Sequence, residues 1–96
     1  MNEIAVHCAP APAGWRCQVV LGARTDSPHD VTVSSEDAVR LAAATDAPGV
    51  ERLVFETFEF LLEREAASAI LRTFDLRVVG DYFPGFEAEM AHRLAT

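Results

Sequence analysis

The sequence predicts an α+β fold, in which an N-terminal antiparallel β-hairpin is packed by a central phenylalanine-rich helix and short C-terminal helices. Residues 15–24 and 29–34 alternate apolar and polar side chains, which is typical of half-buried strands. From residue 35 onward the apolar side chains instead recur at helical spacing. Strands followed by helices indicate the α+β class. The chain has 96 residues, 50% of them hydrophobic, so it is the size of one domain.

The strands are delimited by prolines and turn-forming residues. Between the two alternating runs, residues 25–28 (Thr-Asp-Ser-Pro) favour a turn, so residues 15–34 are predicted to form the hairpin. Residues 4–6 (Ile-Ala-Val) are a candidate third strand at its edge. Residues 9–14 contain alternating prolines, which disrupt a regular β-ladder and therefore predict a connector. The single domain 1–96 thus divides into an edge strand with a connector (1–14), the hairpin (15–34) and a helical part (35–96).

Two helices are predicted to follow the hairpin. Ser34 followed by Asp37 has the form of a capping box, which predicts a first helix from residue 35 to about residue 45. Pro48 suits the first turn of a second helix, which is predicted to run to residue 65. In this second helix the apolar side chains cover an arc of about 220°, roughly twice what a surface helix needs. The second helix is therefore expected to be covered on more than one side.

Part of this apolar arc is expected to form a dimer interface. Phe55 and Leu62 lie at one flank of the arc and Phe60 at the other, where a thin hairpin and short helices would leave them exposed in a monomer. A contiguous exposed apolar patch is normally an interface. Because two-fold pairing is the commonest way to bury such a patch, the sequence predicts a homodimer.

The polar side of the second helix carries three carboxylates, Glu56, Glu59 and Glu63, which we call the acidic ridge. These side chains are candidates for docking a basic protein partner or for holding a divalent cation. Three carboxylates on one exposed helix are weak metal ligands without a second element. The alternative interpretation of the acidic ridge is an ordinary solvated helix face.

Arg64 and Glu65 differ from the acidic ridge because they lie within or beside the apolar arc. A charge in that position must be paired, reach to solvent or lie at an interface. We expect a structural ion pair that joins the long helix to a later element. The candidate partners are Arg72, Asp75 and Arg77.

The chain is acidic, and this limits the classes of partner. It carries 15 acidic residues against 8 basic ones, a net charge of −7, and every basic residue is an arginine. Nucleic-acid-binding proteins present a basic face, so the charge disfavours a nucleic acid as partner and fits a basic one. Charges also occur along the whole chain, so no membrane span is predicted.

Cys8 and Cys17 are expected to be reduced. The first residues lack the basic region of a secretory signal, so a cytoplasmic location is predicted, where thiols stay reduced. Together with His7 and His29 these cysteines are soft ligands near one another in sequence, but their spacing is not that of a zinc site. His29 alternates with two strand valines and is expected to be packed in the core. No metal or cofactor is predicted.

Four short motifs lie within residues 29–84. They are His-x-Val-x-Val at 29–33, Phe-Glu-Phe-Leu-Leu-Glu-Arg-Glu at 58–65, Ile-Leu-x-x-Phe-Asp-Leu at 70–76 and Tyr-Phe-Pro at 82–84. In these motifs the chain resembles a family of small bacterial proteins to which no activity is assigned. The resemblance covers about residues 29–90 and implies membership of this family without implying a mechanism.

No catalytic residue is predicted. Ser34, Ser35 and Ser68 stand where helix caps belong, and no nucleophile elbow, P-loop or dinucleotide-binding motif occurs in the sequence. The sequence therefore favours a non-enzymatic protein-interaction module. Two alternatives stay open. The strand–helix–helix order of residues 30–65 is also that of ribbon-helix-helix DNA-binding regulators, and a pocket between the hairpin and the helices would indicate a small-ligand binder or an enzyme.

Overall fold

A computed structural model describes residues 3–22 and 28–95 of the chain, and these residues form a sheet and a set of helices. The elements in chain order are β1 (Ile4–Ala11), β2 (Gly14–Leu21), β3 (His29–Ser34), α1 (Ser35–Ala42), α2 (Ala47–Leu62), a 3-10 turn (Ala67–Ala69), β4 (Thr73–Asp75), α3 (Arg77–Tyr82) and α4 (Phe86–Leu94). This architecture confirms the α+β prediction.

The strands form one sheet in the order β1-β2-β3-β4. β1, β2 and β3 are antiparallel neighbours, which confirms the paired strands of the predicted hairpin and the strand at its edge. Residues 25–27 of the predicted turn, and residues 23–24 of the run before it, lie outside the described residues. The sequence pattern does not indicate β4, which pairs in parallel with β3 through three residues only. Two backbone hydrogen bonds flank this pairing, from Asp30 N to the Arg72 carbonyl (2.6 Å) and from Leu76 N to the Thr32 carbonyl (2.9 Å).

β1 is longer than the sequence pattern indicates, and the connector predicted at 9–14 is wrong. β1 continues to Ala11, and two residues separate it from β2. Pro10 is accommodated because β1 is an edge strand and the backbone at this position faces away from β2. Two residues earlier, with the same orientation, Cys8 N donates to Oε2 of Glu51 in α2 (2.9 Å). A proline at such a position removes no hydrogen bond of the ladder.

Cys8 and Cys17 form a disulfide bond, so the expectation of two reduced thiols is wrong. The register of β1 against β2 places the two cysteines directly opposite each other, with their Cα atoms 4.0 Å apart. Both side chains lie on the inner face of the sheet and are buried. In this register β1 pairs with β2 through Pro10 as far as Ala11. Because a connector is predicted at 9–14, the sequence analysis does not place the two cysteines opposite each other.

The start of α1 follows the cap that the sequence predicts, and α2 begins with Pro48 in its first turn, as expected, after a cap at Asp46 that the sequence analysis does not name. Ser34 Oγ accepts a hydrogen bond from Asp37 N (3.0 Å), which begins α1, and Asp46 caps α2 in the same way. Ala43 adopts the left-handed conformation, with a φ of 51°, so α1 ends before the boundary predicted near residue 45.

The core lies between α2 and the inner face of the sheet. α4 packs against both α1 and α2 and thereby covers a second side of α2. His29, at the start of β3, is only 7% exposed, which confirms its predicted place in the core. The bulkiest fully buried side chains are Phe58, Phe60, Phe86, Leu53, Leu76 and Met90.

Candidate functional site

An apolar groove with a volume of about 460 Å³ opens at the C-terminal end of α2. Its volume is within the range of pockets that hold small ligands. Nine of its ten lining side chains are hydrophobic, and the tenth is Glu65. Two of the lining residues, Leu61 and Glu65, lie at the end of α2. The other eight are Ala69, Ile70 and Leu71 before β4, Phe74 in β4, Val78, Val79 and Tyr82 in α3, and Phe83 directly after α3.

Two hydrogen bonds hold the walls of the groove. Nδ1–H of His29 donates to the carbonyl oxygen of Leu71 (2.8 Å), which attaches one wall to β3. On the other side, Oδ1 of Asp75 accepts from Arg77 N (3.0 Å) at the start of α3. α3 then places Tyr82 at the groove one helical turn after Val78. The walls are therefore anchored to the sheet rather than to a free loop.

The rim of the groove is the place where large apolar side chains reach solvent. Leu71 is 53% exposed and Tyr82 is 70% exposed. Within residues 3–22 and 28–95, the one other large hydrophobic side chain of comparable exposure is Val39 in α1, at 53%. Single exposed apolar residues are normal on protein surfaces, but these two border the same apolar concavity, which makes the groove the candidate site.

Glu65 is the charged group of the groove. It follows the C-terminal end of α2, where its backbone N donates to the carbonyl oxygen of Leu61 (2.9 Å), and it is partly buried. Among the described residues its carboxylate has no hydrogen-bond or ion-pair partner. The predicted ion pair between Glu65 and a later element is therefore absent among the described residues.

The acidic ridge faces α4, where Arg93 binds it. Arg93 Nη2 donates to both carboxylate oxygens of Glu63 (2.7 and 2.9 Å), its Nε donates to Glu89 (2.8 Å), and Glu56 lies 4.0 Å away. These hydrogen bonds raise the pKa of Arg93 and lower the pKa of Glu63. Two residues of the ridge thus have a basic partner inside their own chain, while Glu59 is partly exposed.

Phe60 is 2% exposed, so the expectation that it stays open in a monomer is wrong. Its ring makes edge contacts with Phe83 (5.7 Å between centroids) and Phe86 (5.4 Å). The chain between α3 and α4 supplies this cover, which the pattern of one helix does not reveal. Phe55 and Leu62, at the other flank of the arc, are half-buried.

Arg64 and Asp75, two candidates for a structural ion pair, take different partners. The guanidinium of Arg64 stacks on the Phe60 ring at 3.6 Å and donates to the Phe60 carbonyl (3.1 Å) and to Glu63 (3.3 Å). Asp75 instead accepts from Thr32 Oγ1 (2.8 Å), which links β4 to β3. Arg72 contributes its carbonyl oxygen to the β3–β4 pairing.

Two features of the structure do not fit the alternatives to an interaction module, which are a ribbon-helix-helix regulator and a ligand pocket between the hairpin and the helices. β3 has β2 on one side and β4 on the other, so it offers no free edge for the strand pairing of a ribbon-helix-helix dimer. The groove lies between α2, β4 and α3, and not between the hairpin and the helices as a ligand pocket was expected to lie. The groups with shifted pKa values, Arg40, Glu63 and Arg93, do not line it.

Within residues 3–22 and 28–95, no group of three or more His, Cys, Asp or Glu side chains is placed to hold a metal ion. In the same two ranges, no helix combines the length and the apolar character needed to cross a bilayer.

Comparison with known proteins gives no relative: no family model, no curated protein and no solved structure matches the chain. The resemblance to a small bacterial family therefore stays a prediction.

Sequence reasoning did not identify the groove as a site. The available signal was the apolar content of residues 69–83, which contain Ile70, Leu71, Phe74, Val78, Val79, Tyr82 and Phe83 within three very short elements. Elements this short cannot bury so many apolar side chains, so some must line a surface.

Proposed function

We propose that the protein is a non-enzymatic interaction module that binds an apolar segment of a partner protein in the groove at the end of α2. The observation that supports this most is the exposure of Leu71 and Tyr82 on the rim of a concavity with nine hydrophobic lining residues. Tyrosine is enriched at protein interfaces because it combines a large apolar surface with a polar tip. Burial of these side chains by a partner would remove apolar surface from water.

The lining of the groove favours binding over catalysis. Acid–base and nucleophilic catalysis require a reactive side chain within hydrogen-bond distance of a base or an orienting group. The ten lining residues include one carboxylate, Glu65, and one phenol, Tyr82. A chemically inert, apolar lining of this kind is suited to recognition.

A homodimer is the second candidate for the partner. Phe55 and Leu62 favour it, because both are half-buried on α2 and would be covered further by a second copy. The net charge of −7 opposes self-association, since two copies repel each other at low ionic strength. Sedimentation at low and high salt tests this candidate, which predicts a dimer that strengthens as salt is added.

A cytoplasmic location stays a prediction. Disulfide bonds persist mainly in oxidising compartments, so the bond between Cys8 and Cys17 is an argument against it.

The proposed binding function is tested with a neutral amphipathic peptide and two variants. The peptide has about 18 residues of leucine and glutamine in a helical pattern, which is long enough to form a helix on binding. Leu71→Ser combined with Tyr82→Ser should weaken its binding by at least about tenfold, because both anchors are lost. Val39→Ser is the matched control, since Val39 and Leu71 are equally exposed, at 53%. Equal affinities for the double variant and the wild type would contradict the proposal.

A further inference from the structure

We propose that the segment bound in the groove is cationic and amphipathic, with its apolar face against the groove and a lysine or arginine paired with Glu65. This inference rests on the proposed function and specifies the chemistry of the partner. Its basis is the contrast between the one charged lining residue and the nine hydrophobic ones.

The carboxylate of Glu65 differs from that of Glu63 because no arginine of the described residues neutralises it. Glu63, two residues earlier, accepts hydrogen bonds from both Arg64 and Arg93. Glu65 is partly buried, and no described side chain donates to it. A basic side chain arriving with a partner would supply the missing donor, and a charged donor makes a stronger hydrogen bond than a neutral one.

The apolar surroundings of Glu65 strengthen this pairing. Leu61 and Ile70, both buried, line the groove together with Glu65, and a bound apolar segment would exclude water from the same space. An ion pair shielded from water is stronger than one on an open surface. An anionic ligand such as a fatty acid would place two carboxylates in the groove, which like-charge repulsion disfavours.

The charge of the whole chain acts in the same direction. At −7 it attracts a cationic segment over a distance of about a Debye length and repels both an acidic segment and a second copy of the chain. A basic amphipathic segment is therefore the occupant that both the local and the overall charge favour.

The test compares three peptides that share one leucine pattern and carry lysine, glutamine or glutamate at the polar positions. At physiological salt the lysine peptide should bind the wild type about tenfold more tightly than the glutamine peptide, and the glutamate peptide most weakly. Glu65→Gln should remove about tenfold of the affinity for the lysine peptide. Glu59→Gln changes the net charge equally on the acidic ridge, which does not line the groove, and should change the affinity less than about twofold.

The possible outcomes separate this inference from the proposed function. If the lysine and glutamine peptides bind equally well and Glu65→Gln changes neither affinity, the partner segment is neutral and the inference is overturned, while the binding function stands. If Glu65→Gln and Glu59→Gln lose the same affinity for the lysine peptide, the attraction is an unspecific one between opposite charges, and the inference is also overturned. Failure of all three peptides to bind rejects both proposals. A concentration-dependent dimer that Leu71→Ser with Tyr82→Ser converts to a monomer would assign the groove to a second copy.

Discussion

At the scale of single residues, Phe58 joins the two layers of the fold. Its side chain is fully buried, and its ring lies 5.4 Å from the His29 ring in β3 and 6.0 Å from the Phe74 ring in β4. His29 in turn holds the carbonyl of Leu71 at the groove wall. The packing around Phe58 therefore supports both the core and the geometry of the candidate site.

Replacing Phe58 with alanine should lower the free energy of unfolding by about 3–5 kcal/mol, because it removes buried apolar surface and leaves a cavity. Urea denaturation followed by circular dichroism measures this change. Val39→Ala, at a site where the side chain is 53% exposed, should stay within about 0.5 kcal/mol of the wild type. A change of similar size in the two variants would show that α2 is not the central helix.

The residues that sequence reasoning placed well are those whose environment depends on one element. His29 shares a face with Val31 and Val33 because strand side chains alternate, and all three are buried. Phe60 was misplaced because its cover comes from Phe83 and Phe86, which are distant in sequence. Tertiary contacts decide whether a side chain at the flank of an apolar arc is exposed, and the helical periodicity of the sequence does not show those contacts.

At the scale of elements, Arg93 fixes α4 on α2. Its guanidinium forms ion pairs with both Glu63 and Glu89, and its side chain is only 17% exposed. This explains the acidic ridge on α2, since carboxylates on one helix provide a binding surface for the arginine of another. A sequence pattern shows the three carboxylates and cannot show which arginine meets them.

The Arg93 network predicts a pH dependence of stability. Because Arg93 lowers the pKa of Glu63 in the folded state, the folded protein binds fewer protons than the unfolded one near the ordinary glutamate value of 4.5. The stabilisation is present above that pH and is lost as the pH falls through the lowered pKa. Arg93→Gln should therefore cost more stability at pH 7 than at pH 3.

Denaturation of the wild type and Arg93→Gln across this pH range measures the difference. The pH-dependent part should be no more than about 1 kcal/mol, since Glu63 is 51% exposed and solvent screens the pair. A constant remainder reflects the lost packing of the arginine stem. Arg77→Gln is the control, because Arg77 is exposed and its guanidinium pairs with no carboxylate of the described residues, so it should show no such pH dependence. A difference that stays the same at pH 3 and pH 7 would rule out the proposed role of Glu63.

The β1–β2 hairpin carries the second element-scale prediction. Its disulfide joins residues nine positions apart, so it closes a short loop and should stabilise the fold by about 2–3 kcal/mol. Cys8→Ala with Cys17→Ala should lower the free energy of unfolding by that amount and leave the fold intact. Thiol titration in denaturant should find no free thiol before reduction and two per chain after it. Two free thiols before reduction would contradict the structure of the hairpin.

At the scale of the whole molecule, the class of fold follows from the sequence and the candidate site does not. Alternation at 15–24 and 29–34 and helical spacing after residue 35 are local signals, and local signals are sufficient for α+β. The groove is assembled from Leu61, Phe74 and Tyr82, which come from three elements. Their meeting depends on the parallel pairing of β4 with β3, and a strand of three residues leaves no recognisable periodicity.

The groove at the end of α2 is the binding surface that we propose for the molecule. The most direct measurement is a titration of the ¹⁵N-labelled protein with the neutral leucine–glutamine peptide, followed by two-dimensional NMR. We expect the chemical-shift changes to concentrate at Glu65, at residues 69–71 and at residues 78–83, and to become much smaller at the same peptide concentration in Leu71→Ser with Tyr82→Ser. Changes concentrated in β1, β2 or α1, or no change at saturating peptide, would contradict it.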